Sequence, residues 1–148
     1  QIQPIEARKR SVLTEAAGIP VAVAVAGANR HDIKLLGPTL EAIVVERPEP
    51  SEDQPQNLSG DRGYDFNTVR AEAQQHGYVT HIRTRGEEIE LKQHVPGFRC
   101  RRWVVERTHS RLNRYRRILI RWEKHVENYL GMLHLACAWI CFRRSGLC

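Results

Sequence analysis

Ser11-Val12-Leu13-Thr14-Glu15-Ala16-Ala17-Gly18-Ile19-Pro20-Val21-Ala22-Val23-Ala24-Val25 is the stretch on which the fold turns. Ser11–Thr14 and Ile19–Val25 are β-rich runs, and Glu15-Ala16-Ala17-Gly18 between them is short enough for a hairpin turn. The second run alternates small and branched residues and carries no charge, which predicts a strand covered on both faces. Downstream, Gly27 to Asp32 reads as a loop, and Asp32 is placed to cap a helix from Ile33 to about Val45. Arg47 to Gln56, with Pro48, Pro50 and Pro55, reads as an exposed connection. Asn57-Leu58-Ser59 is a short strand that delivers Asp61. Asp65 is placed to cap a helix through His76, with Gly77 as its stop. Tyr78–Arg83 reads as a further strand, Thr84–Gly97 as a loop, and Arg101 as the start of a helix that weakens near Ile118-Leu119-Ile120. A last helix is expected over Val126–Arg143. The resulting order is hairpin, helix, strand, helix, strand, helix, helix, an α/β layer pattern.

The chain has 148 residues, 41% apolar and 27% charged. That balance suits one soluble globular domain with a real core. The longest apolar stretch, Tyr129–Phe142, is too short to span a bilayer and contains His134, so it reads as a buried helix and no membrane is expected. Cys100, Cys137, Cys141 and Cys148 lack zinc-site spacing and a disulfide framework, which suits a reducing, cytoplasmic setting. No signal peptide is visible. The first residue is not methionine, so the chain is expected to be cut from something longer.

Charge carries the functional argument. From Arg99 to Lys124 there are ten Arg or Lys residues against two acids, Glu106 and Glu123, so this segment alone carries +8 where the whole chain carries +6. With an isoelectric point near 9.5, such density reads as a surface for phosphate backbones, where counterion release supplies affinity. On a helix, Arg102, His109, Ser110, Asn113 and Arg117 share the face of Glu106. Val105, Leu112, Tyr115, Leu119 and Trp122 form a separate apolar stripe, and Trp103, Trp122 and Trp139 are expected in the core. Metal-dependent phosphoryl transfer needs carboxylates converging from different elements to hold divalent cations about 3.5–4 Å apart. Magnesium suits such a site because it keeps waters and phosphate oxygens among its ligands. Asp61 at a strand end and Glu106 on the basic helix are the candidates. Each has a plainer reading: Asp61 as a turn residue before Gly63, Glu106 as a salt-bridge partner of Arg102 or Arg107, and His31 and His109 as surface or packing histidines.

Four stretches together resemble the C-terminal portion of bacterial insertion-sequence transposases with a three-acid (DDE) catalytic core. They are Gly18–Val21 leading to Gly27-Ala28-Asn29-Arg30-His31-Asp32; Gly60-Asp61-Arg62-Gly63-Tyr64-Asp65; Arg102-Trp103-Val104-Val105-Glu106-Arg107-Thr108 through Leu112-Asn113-Arg114-Tyr115-Arg116-Arg117; and Glu127-Asn128-Tyr129-Leu130 through Leu135-Ala136-Cys137-Ala138. The third is the most specific. The resemblance implies a ribonuclease-H-like mixed sheet with flanking helices, here lacking its first strand, so that residues 1–148 would be a catalytic domain truncated at its N-terminus. Asp61 matches the second catalytic acid and Glu106 the third, and both would hold Mg2+ or Mn2+. Arg102 matches the arginine one helical turn before the glutamate, and the later basic position falls on Asn113 or Arg114. No residue matches the first acid: Glu15 lies in the hairpin turn, and Asp32 is the only other acid before the next helix.

The intact protein would nick DNA and join the 3′-hydroxyl to target DNA, with Arg102, Arg107, Arg111, Arg114 and Arg117 on phosphates. Its partners would be the insertion-element ends and target DNA, engaged as a homo-oligomer and associated with the bacterial nucleoid. The chain alone would be inactive. A non-catalytic basic DNA-binding remnant and a nuclease without strand transfer are the other readings of the same residues.

Overall fold

The computed structural model describes residues 8–82, 85–97, 102–120 and 122–146. The chain divides into two compact units, residues 1–45 with 104–148, and residues 46–103. The architecture is mixed α/β.

In the first unit, β1 (Arg8–Thr14) and β2 (Pro20–Gly27) form the antiparallel hairpin expected from the sequence, with Val12 opposite Val23 and a register shift at Leu13/Thr14. Pro20 opens β2, a position where its missing N–H costs the ladder least. Every residue of β2 is buried or half-buried, in line with its uncharged sequence. A 3-10 turn (Asp32–Leu35) leads into α1 (Leu36–Glu41). The longer helix capped by Asp32 is not formed. Pro38 cannot donate to the carbonyl four residues back and its ring crowds that turn, so the α-helix starts just before it, where the donor is dispensable. Asp32 lies within the 3-10 turn and pairs with Lys9 at 3.2 Å instead. After α1 the branched run leaves the helix, and Val44 N–H donates to Val21 O at 3.3 Å.

The same unit holds α4 (Arg102–Leu112, from Val104 onward), α5 (Arg116–Ile120) and α6 (Val126–Arg144). The helix break falls at Asn113–Tyr115, earlier than expected. There Arg114 and Tyr115 N–H close three-residue bonds to Arg111 and Leu112 carbonyls, and Ile118-Leu119-Ile120 resume the helix as α5. The α6 stripe Tyr129, Leu133, Ala136, Cys137 and Ile140 packs with Val23, Leu112 and Ile118 into one core cluster. The apolar stripe of α4 is Val104, Thr108 and Leu112, one position round from the predicted one, and Leu119 and Trp122 are exposed. The three tryptophans are half-exposed or more, and not core residues: Trp103 51%, Trp122 61% and Trp139 50%. Trp139 instead meets Phe142, with ring centroids 5.8 Å apart, on the outer face of α6.

In the second unit, β3 (Gln56–Gly60) and β4 (Tyr78–Ile82) pair in parallel, from Gln56 opposite Tyr78 to Gly60 opposite Ile82, and α2 (Asn67–Gln75) joins them. This is a βαβ unit, and α2 buries Val69 and Ala73. Gly77 follows α2 with a φ of 77°. That is the left-handed stop anticipated at this glycine. Asp65 does not cap α2, because Phe66 is the cap residue and the Asp65 carboxylate pairs with Arg70 at 2.7 Å. The connection before β3 is largely exposed, as predicted, but Arg47 ties it down. Its guanidinium donates to Gln56 Oε1 at 2.9 Å and to His76 O at 3.2 Å. It also lies 4.6 Å from the Tyr78 ring centre, a cation–π contact. The segment read as the loop Thr84–Gly97 contains α3 (Arg85–His94), built from Glu, Leu and Lys with little apolar content. Arg83, Cys100, Arg101 and Cys148 lie outside the described residues.

Candidate active site and nucleic-acid interface

Asp61 stands just past the C-terminal end of β3, the end at which parallel βαβ units place their ligand-binding groups. The next residues turn sharply as a 3-10 turn, Arg62–Tyr64. Asp61 Oδ1 accepts the Gly63 N–H at 2.9 Å and its carbonyl accepts the Tyr64 N–H at 3.0 Å. This is an Asx-turn, and it fixes the side chain. A Cβ at Gly63 would lie 3.0 Å from Asp61 Oδ1, so the glycine keeps the carboxylate where it is. The side chain is exposed, and Oδ2 has no hydrogen-bond partner among the described residues. Asp61 is thus both the turn residue of the plain reading and a carboxylate with an oxygen to spare.

Glu106 is exposed on α4, one turn beyond the start of the helix. Among the described residues its carboxylate has no hydrogen bond or ion pair. The Arg107 guanidinium, its anticipated salt-bridge partner, donates to Ala17 O at 2.7 Å. Neighbouring Thr108, fully buried, donates to Gly18 O at 2.9 Å. Arg144 of α6 donates to the same Ala17 carbonyl at 3.1 Å. The hairpin turn they grip is itself set by Glu15, whose Oε1 accepts from Ala17 N–H at 2.8 Å and Ile19 N–H at 3.1 Å. Glu15 therefore shapes the turn, and the turn anchors the helix that carries Glu106.

The basic residues divide into groups. Arg111 sits close enough to like charges for its pKa to be lowered, by burial first and then by Arg107, Arg144 and Arg114. Arg114 is exposed. Arg117 is exposed and pairs with Glu123 at 3.3 Å. The side chain of Arg102 lies outside the described residues. Two further arginines belong to this surface and were not singled out in the sequence. Arg144 closes the last turn of α6, and Arg10 comes from β1 to donate to His109 Nδ1 at 3.3 Å and to Asn113 Oδ1. Both lie far in sequence from the basic run, so only the fold brings them in. Burial, and then the Arg10 charge, lower the His109 pKa.

Asp61 belongs to the unit of residues 46–103 and Glu106 to the other. Among the described residues no three His, Cys, Asp or Glu side chains form a metal-holding group. The donor chemistry nonetheless fits a hard cation: both acids are exposed carboxylates with oxygens that have no partner among the described residues, as a magnesium ion that keeps part of its water shell requires.

The chain matches the family described as transposase DDE domain over residues 4–141. It is 35% identical over 136 residues to a Burkholderia cepacia protein whose name assigns it as the transposase of insertion sequence element IS402. That match covers 90% of this chain and 62% of that protein, so the chain spans less than two thirds of its relative's length. No solved structure matches the chain.

Proposed function

We propose, for a chain that belongs to the family of transposase DDE domains, that the complete protein cuts and rejoins DNA with Asp61 and Glu106 as two of its three metal-holding acids. The observation that carries this reading is the Glu106 carboxylate, exposed on a strongly basic helix and yet taken by no arginine among the described residues. A carboxylate there that served only to balance charge would be paired; one kept open can hold a cation against a phosphate. Divalent metal, when bound, would supply activated water and stabilise the oxygens of the phosphate being cut. The remaining work falls to the chain. Asp61 is aimed by its Asx-turn, Glu106 is positioned through the hairpin anchor, and Arg111, Arg114 and Arg117 with Arg102 neutralise the DNA backbone. Arg107 joins them through the field it adds at Arg111, its own hydrogen bond going to Ala17.

The fold proposed for the complete protein is ribonuclease-H-like. The parallel β3–α2–β4 unit and the antiparallel β1–β2 hairpin, each taken by itself, support it as kinds of element that such a fold uses. The third acid and a further strand would come from sequence preceding the hairpin. The substrates would be the ends of an insertion element and target DNA, the cation Mg2+ or Mn2+, and the setting the bacterial cytoplasm, with the protein assembled as a homo-oligomer on DNA. Among the described residues no helix is long and apolar enough to cross a membrane.

The test is nicking of supercoiled plasmid by the complete protein with magnesium or manganese. Cleavage that disappears with Asp61→Ala and with Glu106→Ala, while DNA binding persists, is the expected result. Cleavage that survives both changes would sink the assignment. Binding with no cleavage under any metal would favour the non-catalytic reading.

A further inference from the structure

Arg10 differs from its neighbours in how its charge is met. Lys9, one residue before it, faces Asp32 at 3.2 Å. Arg70 and Arg117 each have a carboxylate. Arg10 is half-buried, and its partners among the described residues are His109 Nδ1, at 3.3 Å from its Nε, and Asn113 Oδ1, bonded to Nη2. An amide is uncharged at any pH. His109 is a pure acceptor toward Arg10, so its proton sits on Nε2. Burial together with the Arg10 charge makes the ring less ready to take a second one. Among the described residues the guanidinium is therefore held by two neutral acceptors and no carboxylate, and its Nη1 group has no acceptor there.

Its position matters as much as its charge. His109 follows Glu106 by three residues on the same side of α4, about 5 Å further along the axis at about 1.5 Å per residue, and Asn113 stands just past the last residue of α4, its N–H donating to His109 O at 2.9 Å. β1 thus delivers a cation beside the Glu106 face at a place where the residue just after α4 presents an amide. The field of Arg10 also reaches Cys137 on α6, which places it among β1, α4 and α6. A partly desolvated cation without a counter-charge is an unfavourable arrangement unless an anion completes it. A clamp joining β1 to α4 would need hydrogen-bond donors alone, which a neutral side chain supplies without that cost.

We propose that Arg10 is a phosphate-binding residue for DNA, delivered by β1 to the Glu106 face of α4 and oriented there by His109 and Asn113. The inference rests on the reading of that face as the DNA surface. A guanidinium held by two of its nitrogens, with no partner on the third among the described residues, suits a backbone phosphate, which accepts a directed N–H donor and carries no sequence information.

The experiment measures affinity of the full chain for a duplex of arbitrary sequence across a salt series, with circular dichroism to confirm folding. Arg10→Gln should weaken binding several-fold at low salt and make the slope of log K against log salt shallower by about 0.9, one phosphate contact. Arg10→Lys should restore the slope. Asn113→Asp, which keeps Arg10 but neutralises it, should act like Arg10→Gln and weaken binding more than Ser110→Asp, which adds the same charge without touching Arg10. Should Arg10→Gln fail to fold, the comparison of Asn113→Asp with Ser110→Asp decides. An unchanged slope in Arg10→Gln, or equal effects of Asn113→Asp and Ser110→Asp, would overturn the inference. If Arg111, Arg114 and Arg117 changed together to Ala still flatten the slope, the DNA surface stands and Arg10 is only a clamp. If they do not, the reading beneath it falls as well.

Discussion

The buried Thr108 hydroxyl donates to the Gly18 carbonyl at 2.9 Å, across 90 residues of sequence. Thr108 is two residues from Glu106, and Gly18 ends the hairpin turn that Glu15 organises. Thr108 Oγ1 also reaches the Val104 carbonyl at 3.3 Å. One hydroxyl thus links the turn to the helix at the point where the candidate acid emerges.

Thr108→Val keeps the shape and removes the donor, leaving a carbonyl in a dry environment without its partner. The expected loss is about 1–3 kcal/mol of folding stability, read by chemical denaturation. Thr108→Ser should recover most of it. Equal stability of the valine variant would show that water or another donor takes the hydroxyl's place.

Gly18 adopts a φ of 82°, and a Cβ there would lie 3.0 Å from Arg107 Nη2 and 3.3 Å from both Thr108 Oγ1 and Val104 Cγ1. The Arg107 tip can move, but Val104 and Thr108 are buried. Gly18→Ala should therefore cost at least the about 1–2 kcal/mol of a left-handed L-residue. A melting temperature equal to the parent's would mean that the turn relaxes freely.

These relationships mark how far the sequence could be read. The hairpin was legible because its charge-free second run and its turn are local signals, and α6 was legible from its long apolar run. Asp32 and Asp65 misled because an aspartate before a helical pattern suggests a cap, whereas Lys9 and Arg70, set by tertiary or neighbouring geometry, compete for it. α3 was missed because an exposed polar helix carries no apolar periodicity to find. The α4 stripe came out one position round because Thr108 is a polar residue that is buried for its hydrogen bond, while Trp103 and Trp122 are large apolar residues left outside. Of the candidate site, Asp61, Glu106 and the basic run are visible as residues and spacing. Arg10 and Arg144 are not, since their place depends on strand and helix packing.

His109 supplies a pH signature. Its folded pKa is lowered from 6.5, by burial first and then by Arg10, so the unfolded chain binds the proton more readily. Stability is full above about pH 6.5, declines as pH falls through that value, and levels off below the depressed folded pKa. His109→Gln should flatten this part of the stability profile in denaturation experiments between about pH 7.5 and 5. A profile identical to the parent's would assign the slope to other groups.

The thiol of Cys137 is pushed up to about 11, by burial first and then by Cys141, with Arg10 opposing. At about pH 8 only about one such thiol in a thousand is ionised, so Cys137 should react with a thiol reagent far more slowly than an unfolded control. Labelling of Cys137 at the unfolded rate under native conditions would reveal frequent opening of the α6 core.

The last prediction joins the two acids. If Asp61 and Glu106 hold the same cation, each must be needed for it, and removing the second after the first should change little. Manganese binding to the complete protein, followed by the paramagnetic relaxation of water, should weaken strongly with Asp61→Ala and with Glu106→Ala. The double variant should be no worse than the weaker single, because residues acting as a unit are not additive. Residues 1–148 alone, with two acids of the expected three, should show no metal-dependent plasmid nicking, and activity should appear only when preceding sequence that supplies the third acid is present. Independent, additive losses would place the two carboxylates at separate sites. Nicking by residues 1–148 that Glu106→Ala abolishes would instead require a third acid within this chain, and Asp32, exposed and paired with Lys9 among the described residues, would be the one to replace next.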